Sequence, residues 1–239
     1  MNSNVLGSIA SQKDFLSNHP FCESLKSGRT DHYSFVPKMT FFVMGFRDIL
    51  EIIRVESPKS ELDRQINHHC DEDSHHWLLF LEDLKTLNMD IEYWGGSIQS
   101  VLKTLWSDDS FCVRKLLYQV VTHIQSTTSS EEKLLVLECL EAAFAAFIMN
   151  MNILTRNNGD YIHLKYLGQQ HFEEESDHDM GNWIEGDKTS EQEKSITVNI
   201  RERFMHYIVD DIFDGFNEVF TFWNANAHET QLHLNVNHR

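Results

Sequence analysis

Residues 66–87 read INHHCDEDSHHWLLFLEDLKTL, and the fold turns on how they are read. Four histidines and three acids fall within residues 68–76, and an apolar-periodic run follows at once. A second stretch, residues 166–180, reads YLGQQHFEEESDHDM and shares the pattern His-x3-acid-x2-His. An α-helix advances about 100° per residue, so positions i, i+4 and i+7 lie within roughly 60° of one another. His171, Glu175 and His178 form one such trio. The first stretch offers two interleaved registers: His68, Glu72 and His75, or His69, Asp73 and His76. The stripe Trp77, Phe80, Leu81 and Leu84, extended backwards, passes through Ile66, Cys70 and Asp73. The wheel therefore favours His69, Asp73 and His76 as the inward set. Glu72 and His75 remain the alternates.

Composition bounds the rest. A chain of 239 residues can bury a sizeable core as one domain. Only three prolines interrupt it, which favours long helices. A net charge of −17 argues against nucleic acid and against an anionic membrane as partners. No uninterrupted apolar run reaches the length of a membrane span. The N-terminus is polar and lacks a leader pattern. Cys22, Cys70, Cys112 and Cys139 form no CxxC pair, which fits a reducing, cytoplasmic setting.

Read in order, the chain predicts an all-α domain over 1–239, with loose termini at 1–10 and 225–239. A first helix is expected over 12–26, split by Pro20, and a central apolar helix within 34–53. Ser57-Pro58 is read as the start of one helix carrying the histidine cluster to about residue 88. Further helices are expected over 90–106, 111–124 and 130–153, the last opened by Ser129 and Glu132 as a capping box. Asp160 is read as the cap of the helix bearing the second motif, and 189–223 as the final helix. No hairpin or strand signal occurs.

Chemistry enters through the two histidine stretches. Leu164, Leu167, His171, Glu175 and His178 share a stripe, apolar above and ligand-like below. A carboxylate between imidazoles on a core-facing stripe needs compensation for its desolvation, and a divalent metal supplies it. By itself EEESDHD reads as a solvated acidic face. The acid-x2-His spacing of Asp73 and His76 is the one used by carboxylate-bridged two-metal sites in helical bundles. A further carboxylate is expected from the helix at 130–153, where Glu138 and Glu141 interrupt an apolar face of Leu134, Ala142, Ala145 and Met149. These donors suit iron or manganese, or zinc.

HPFCESLKSG, FVPKMTFFVMGFRDIL, EDSHHW, ECLEAAF and HFEEESDH together resemble the heme oxygenase-like superfamily in its TenA and PqqC-like branch, and more narrowly its iron-containing redox enzymes. The resemblance spans about residues 15–223. It implies seven or eight helices around a central cavity, usually in a homodimer, and activation of dioxygen to oxidise a small molecule. Carried over, the metal ligands become Asp73 (or Glu72), His76 (or His75, with His69 as a further alternate), Glu138 (or Glu141), His171, Glu175 and His178. Glu138 and Glu141 are the expected catalytic carboxylates. Two irons are expected, with manganese or zinc as substitutes. An apolar substrate part would lie against Phe42, Met44, Phe46 and Ala145. The late acid is Glu where the family commonly has Asp.

Three other readings compete. A TenA-like hydrolase of thiamine fragments needs a cysteine beside a glutamate, but Cys139 faces about 100° away from Glu138. Heme would need an axial ligand such as His19, which sits beside Pro20 where a cap is the ordinary role; heme is not expected. A non-catalytic binding protein of the same fold would keep the histidines and acids as a hydrogen-bonded network.

Overall fold

In a computed structural model, the structure describes residues 4–27, 33–89, 97–177 and 202–226. All regular elements among these residues are helices: α1 (Asn4–Ser17), α2 (Pro20–Lys26), α3 (Val36–Ile53), α4 (Glu61–Asp73), α5 (His76–Thr86), α6 (Ile98–Leu105), α7 (Phe111–Ser126), α8 (Ser130–Asn158), α9 (Gln169–Asp177) and α10 (Glu202–Asn226).

The axis of the bundle is α8. Its 29 residues give a rod about 43 Å long at 1.5 Å per residue. It packs against α1, α2, α4, α7, α9 and α10, while α7 also packs against α3 and α10. Its start is fixed by Ser129, whose hydroxyl accepts the Glu132 N–H at 3.3 Å. The Glu132 carboxylate turns back to the N–H and hydroxyl of Thr128. Its end is Gly159, at φ 81°, where a side chain would be strained. An 18-residue window of α8 has mean hydropathy 1.8, enough by length and composition to cross a membrane, but 72% of that window is buried inside the bundle. Such a helix reads as the core element around which the others pack.

Around Phe147 of α8, Phe21, Phe35, Phe220 and Trp223 complete an aromatic knot from four helical regions. Ring centroids there lie 4.9–6.3 Å apart, within the range where edge and offset contacts add to burial. α7 nests between two glycines. A Cβ at Gly45 of α3 would come within 2.6 Å of Leu117, and one at Gly215 of α10 within 2.7 Å of Leu116. The close approach at Gly45 is made by a leucine side chain.

Several boundaries differ from the sequence reading. α1 begins at Asn4, with Val5 and Ile9 buried, rather than after a loose segment of ten residues. The chain breaks at Asn18-His19, and Pro20 opens α2 with His19 as its cap, accepting the Phe21 N–H on Nδ1 at 3.0 Å. The histidine-rich helix starts at Ser60, not Ser57, because Asp63 completes a capping box there. Asp63 accepts the N–H groups of Lys59 and Ser60 and the hydroxyl of Ser130, so one carboxylate ties the starts of α4 and α8 together. The Ser130 hydroxyl first, and then those amides, hold its carboxyl well below the usual range. A cap of this kind contributes about 1–2 kcal/mol. The expected single helix also divides at Ser74-His75, and Leu81 of the expected stripe is 41% exposed. The second motif does not start on a helix capped by Asp160. Residues 160–168 form a turn and α9 begins at Gln169. The expected starts at 90 and 189 lie outside the described residues.

Candidate metal centre

The site forms where α4, α5, α8 and the segment 161–171 meet. α4 contributes His69 and Asp73, one turn apart and 4% and 3% exposed. α8 contributes Glu141, 8% exposed, on the face where α4 crosses it. His69 Nε2 lies 3.1 Å from Asp73 Oδ2 and 3.2 Å from Glu141 Oε1. The donor atoms of these three side chains all fall within 4.8 Å of one another. A single ring nitrogen carries at most one proton, yet two buried carboxylates converge on it. Two desolvated carboxylates side by side favour a cationic partner, a role a metal ion would fill.

Two further imidazoles adjoin the trio. His76, the first residue of α5, places Nδ1 3.7 Å from Asp73 Oδ1. The same nitrogen lies 3.0 Å from His171 Nε2. His171 is 1% exposed, stacked on Tyr166 at 4.4 Å and met edge-on by His76 at 4.3 Å. Its Nδ1 donates to the Tyr166 carbonyl at 2.9 Å. A carbonyl only accepts, so that nitrogen carries the proton and Nε2 is turned to the site. Histidines that ligate metals commonly donate their second nitrogen in this way.

Asp73, His76, Glu141 and His171 share the wall of one cavity. Phe42, Val43, Phe46, Leu140 and Phe144 make its apolar side, and Trp77, Tyr166 and Arg47 complete it. The cavity has a volume of about 20 Å³, room for an ion or a water but not for a substrate without movement of the walls.

The sequence-predicted residues divide clearly. Asp73, His76, Glu141 and His171 come together, and His69, read as an alternate, joins them. Glu72 and His75 do not. Glu72 is at the surface, paired with His68 at 3.0 Å, and His75 is exposed beside the Ser74 hydroxyl. Glu138 is buried, but it is offset by about 60° from Glu141 on α8 and stands outside both the donor trio and the cavity wall. Glu175 follows His171 on α9, but its side chain lies outside the described residues, as does the whole of His178. Of the expected substrate contacts, Phe42 and Phe46 line the cavity. Met44 lies two residues from each and points outward, 38% exposed, and Ala145 is one position past the wall residue Phe144. Trp77, Phe144 and Tyr166 were not anticipated as wall residues.

Asp83 was not anticipated either. It is fully buried and accepts the N–H groups of Lys165 at 2.6 Å and Leu167 at 2.8 Å. Its position three residues after Phe80 and four before Leu87, inside an apolar stripe, is the signal that could have found it. Burial pushes its carboxyl up to about 6, with the Lys165, Leu167 and Tyr166 amides and nearby His171 pulling partly back. A folded-state pKa above the unfolded value of 3.8 contributes its stability in full below 3.8 and loses it as pH rises through about 6. The rise from 3.8 to about 6 corresponds to about 3 kcal/mol. The difference in unfolding free energy between the wild type and Asp83→Asn should therefore shrink by about that amount from pH 4 to pH 7, measured by urea denaturation.

Two competing chemistries find less to work with. Burial raises all four thiols, Cys22 and Cys70 to about 12, and none lines the cavity. His19 uses Nδ1 as the α2 cap and sets Nε2 3.3 Å from the Thr221 hydroxyl.

No family model matches the chain, and no curated protein matches it.

Proposed function

We propose that the protein is a non-heme, metal-dependent oxidase or oxygenase with a two-iron site, acting on a small molecule and dioxygen, on a heme oxygenase-like arrangement of helices. The observation that carries this reading is the convergence of Asp73 and Glu141 on His69 Nε2, with His76 and His171 beside them on one cavity wall. The donors are nitrogen and carboxylate oxygen without thiolate, a set that suits iron or manganese and also accepts zinc. His69, Asp73 and Glu141 would hold one ion. His76 and His171, with Glu175 and His178 as sequence candidates, would serve a second.

Iron bound there would supply the redox chemistry toward dioxygen that no side chain at this site has. The chain's own residues do the rest. Asp73 and Glu141 provide fixed negative charge in a region screened from water, where it acts strongly. His171 is held in one tautomer by the Tyr166 carbonyl. Phe42, Phe46, Phe144 and Trp77 exclude bulk water from the donors and offer an apolar surface to a substrate. A homodimer belongs to the same reading by resemblance, and a cytoplasmic setting by the scattered cysteines.

A second reading draws on the same atoms. His69 already contacts both carboxylates, so the network could be purely structural in a non-catalytic helical protein. Dioxygen uptake separates the two. Protein loaded anaerobically with ferrous iron and mixed with aerated buffer should consume oxygen faster than the same iron free in solution, and Glu141→Gln should remove the excess. Equal rates for protein-bound and free iron would sink the oxidase reading.

A further inference from the structure

Asp83 takes no part in the donor cluster, yet it is a fully buried acid aimed at the segment that carries His171. It lies seven residues after His76 on α5, about two turns along the same face. The two residues act on one target from one helix. His76 meets the ring of His171, and Asp83 grips the turn beneath that ring. Two of the amides it holds, those of Lys165 and Leu167, flank Tyr166, whose carbonyl receives the His171 Nδ1–H. The turn is closed further by the His171 N–H on the Lys165 carbonyl at 3.1 Å and the Gln169 N–H on the Tyr161 carbonyl at 2.8 Å.

We infer that Asp83 is the positioning residue for His171: by holding the Lys165 and Leu167 amides it fixes the Tyr166 carbonyl, and through it the tautomer and direction of the His171 ring. The inference rests on the proposed function only in taking His171 as part of the site. A carboxylate suits the task because both its oxygens accept. An asparagine would accept with one oxygen and present an N–H2 group to the other amide, donor against donor. The alternative role is plain tethering of the turn, which would affect stability without touching the ring.

The tautomer of His171 distinguishes these roles. In full-length, metal-free protein labelled with 15N-histidine, long-range proton–nitrogen correlation reports which ring nitrogen is protonated. The wild type should show the Nδ1–H form. Asp83→Asn should move the tautomer ratio by about tenfold toward Nε2–H, the change expected when one hydrogen bond of ordinary net strength is weakened. Tyr33→Phe is the control. It removes the 2.8 Å bond from the Tyr33 hydroxyl to Asp160 at the start of the same turn, so it should lower stability and leave the tautomer alone. A wild-type tautomer ratio in folded Asp83→Asn overturns the inference. Should that variant not fold, hydrogen exchange in the wild type decides. The His171 Nδ1–H should exchange through the same opening as the Lys165 and Leu167 amides, and exchange independent of them overturns the inference equally. Neither measurement uses metal, so failure of iron binding and failure of this inference register separately.

Discussion

Asp73→Asn should lose metal and keep its fold. The side chain retains its shape and an acceptor for His69, but one of the two carboxylates converging on Nε2 disappears. Supporting residues around metals typically contribute 10- to 100-fold in affinity, and loss of a ligand should cost at least about 100-fold. The metal-free variant should be as stable as the wild type, or more so by up to about 2 kcal/mol, because a buried charge has been removed from beside another. Metal titration by calorimetry and urea denaturation of the metal-free protein measure the two effects. A structural network predicts the reverse pattern: clear destabilisation and no metal effect to lose.

Gly168→Ala should be the most damaging small substitution in the turn that precedes α9. A Cβ there would stand 2.1 Å from the Leu164 carbonyl oxygen and 2.4 Å from that of Tyr161. Both are backbone atoms, and the Tyr161 carbonyl is already bound by the Gln169 N–H. Neither can swing aside as a side chain would, so the turn must open. Opening it releases Leu164 and Leu167 from the core and undoes the seat of His171. The cost should be about 3–5 kcal/mol, in the tail of single-residue effects. For a chain of this size that lowers Tm by about 10 °C. Thermal unfolding followed by circular dichroism measures it, and a change below about 1 kcal/mol would mean the turn has another accessible shape.

The residues of the candidate centre were unequally legible in the sequence. His69, Asp73 and His76 could be placed inward because Ile66, Cys70 and Phe80 mark a face, and period alone fixes which residues share it. The break at Ser74-His75 falls just after Asp73 and just before His76, and nothing in the period announces it. The choice between Glu138 and Glu141 was not legible. Both interrupt the same apolar stripe and both are buried, and only the crossing of α4 over α8 selects Glu141. The turn at 161–168 was hidden for a different reason. Its leucines fall at helical spacing with His171, so a turn imitated a stripe. What specifies the turn is Gly168 together with Asp83, which lies 82 residues before Lys165 in sequence. An acid within an apolar stripe signals a buried partner without saying which, and backbone amides of a distant turn leave no pattern of their own.

Iron per chain measures directly whether the His69, Asp73 and Glu141 convergence holds metal. The full-length protein, loaded anaerobically with ferrous iron and desalted, should retain about two irons per chain, the number expected of a carboxylate and histidine pair of sites in a helical bundle. Under the same treatment Asp73→Asn should retain no more than about half of the wild-type amount, because it loses the ion held by His69, Asp73 and Glu141. Wild-type protein that retains no iron, and no manganese or zinc under the same loading, would contradict the account and leave the cluster as a buried hydrogen-bond network.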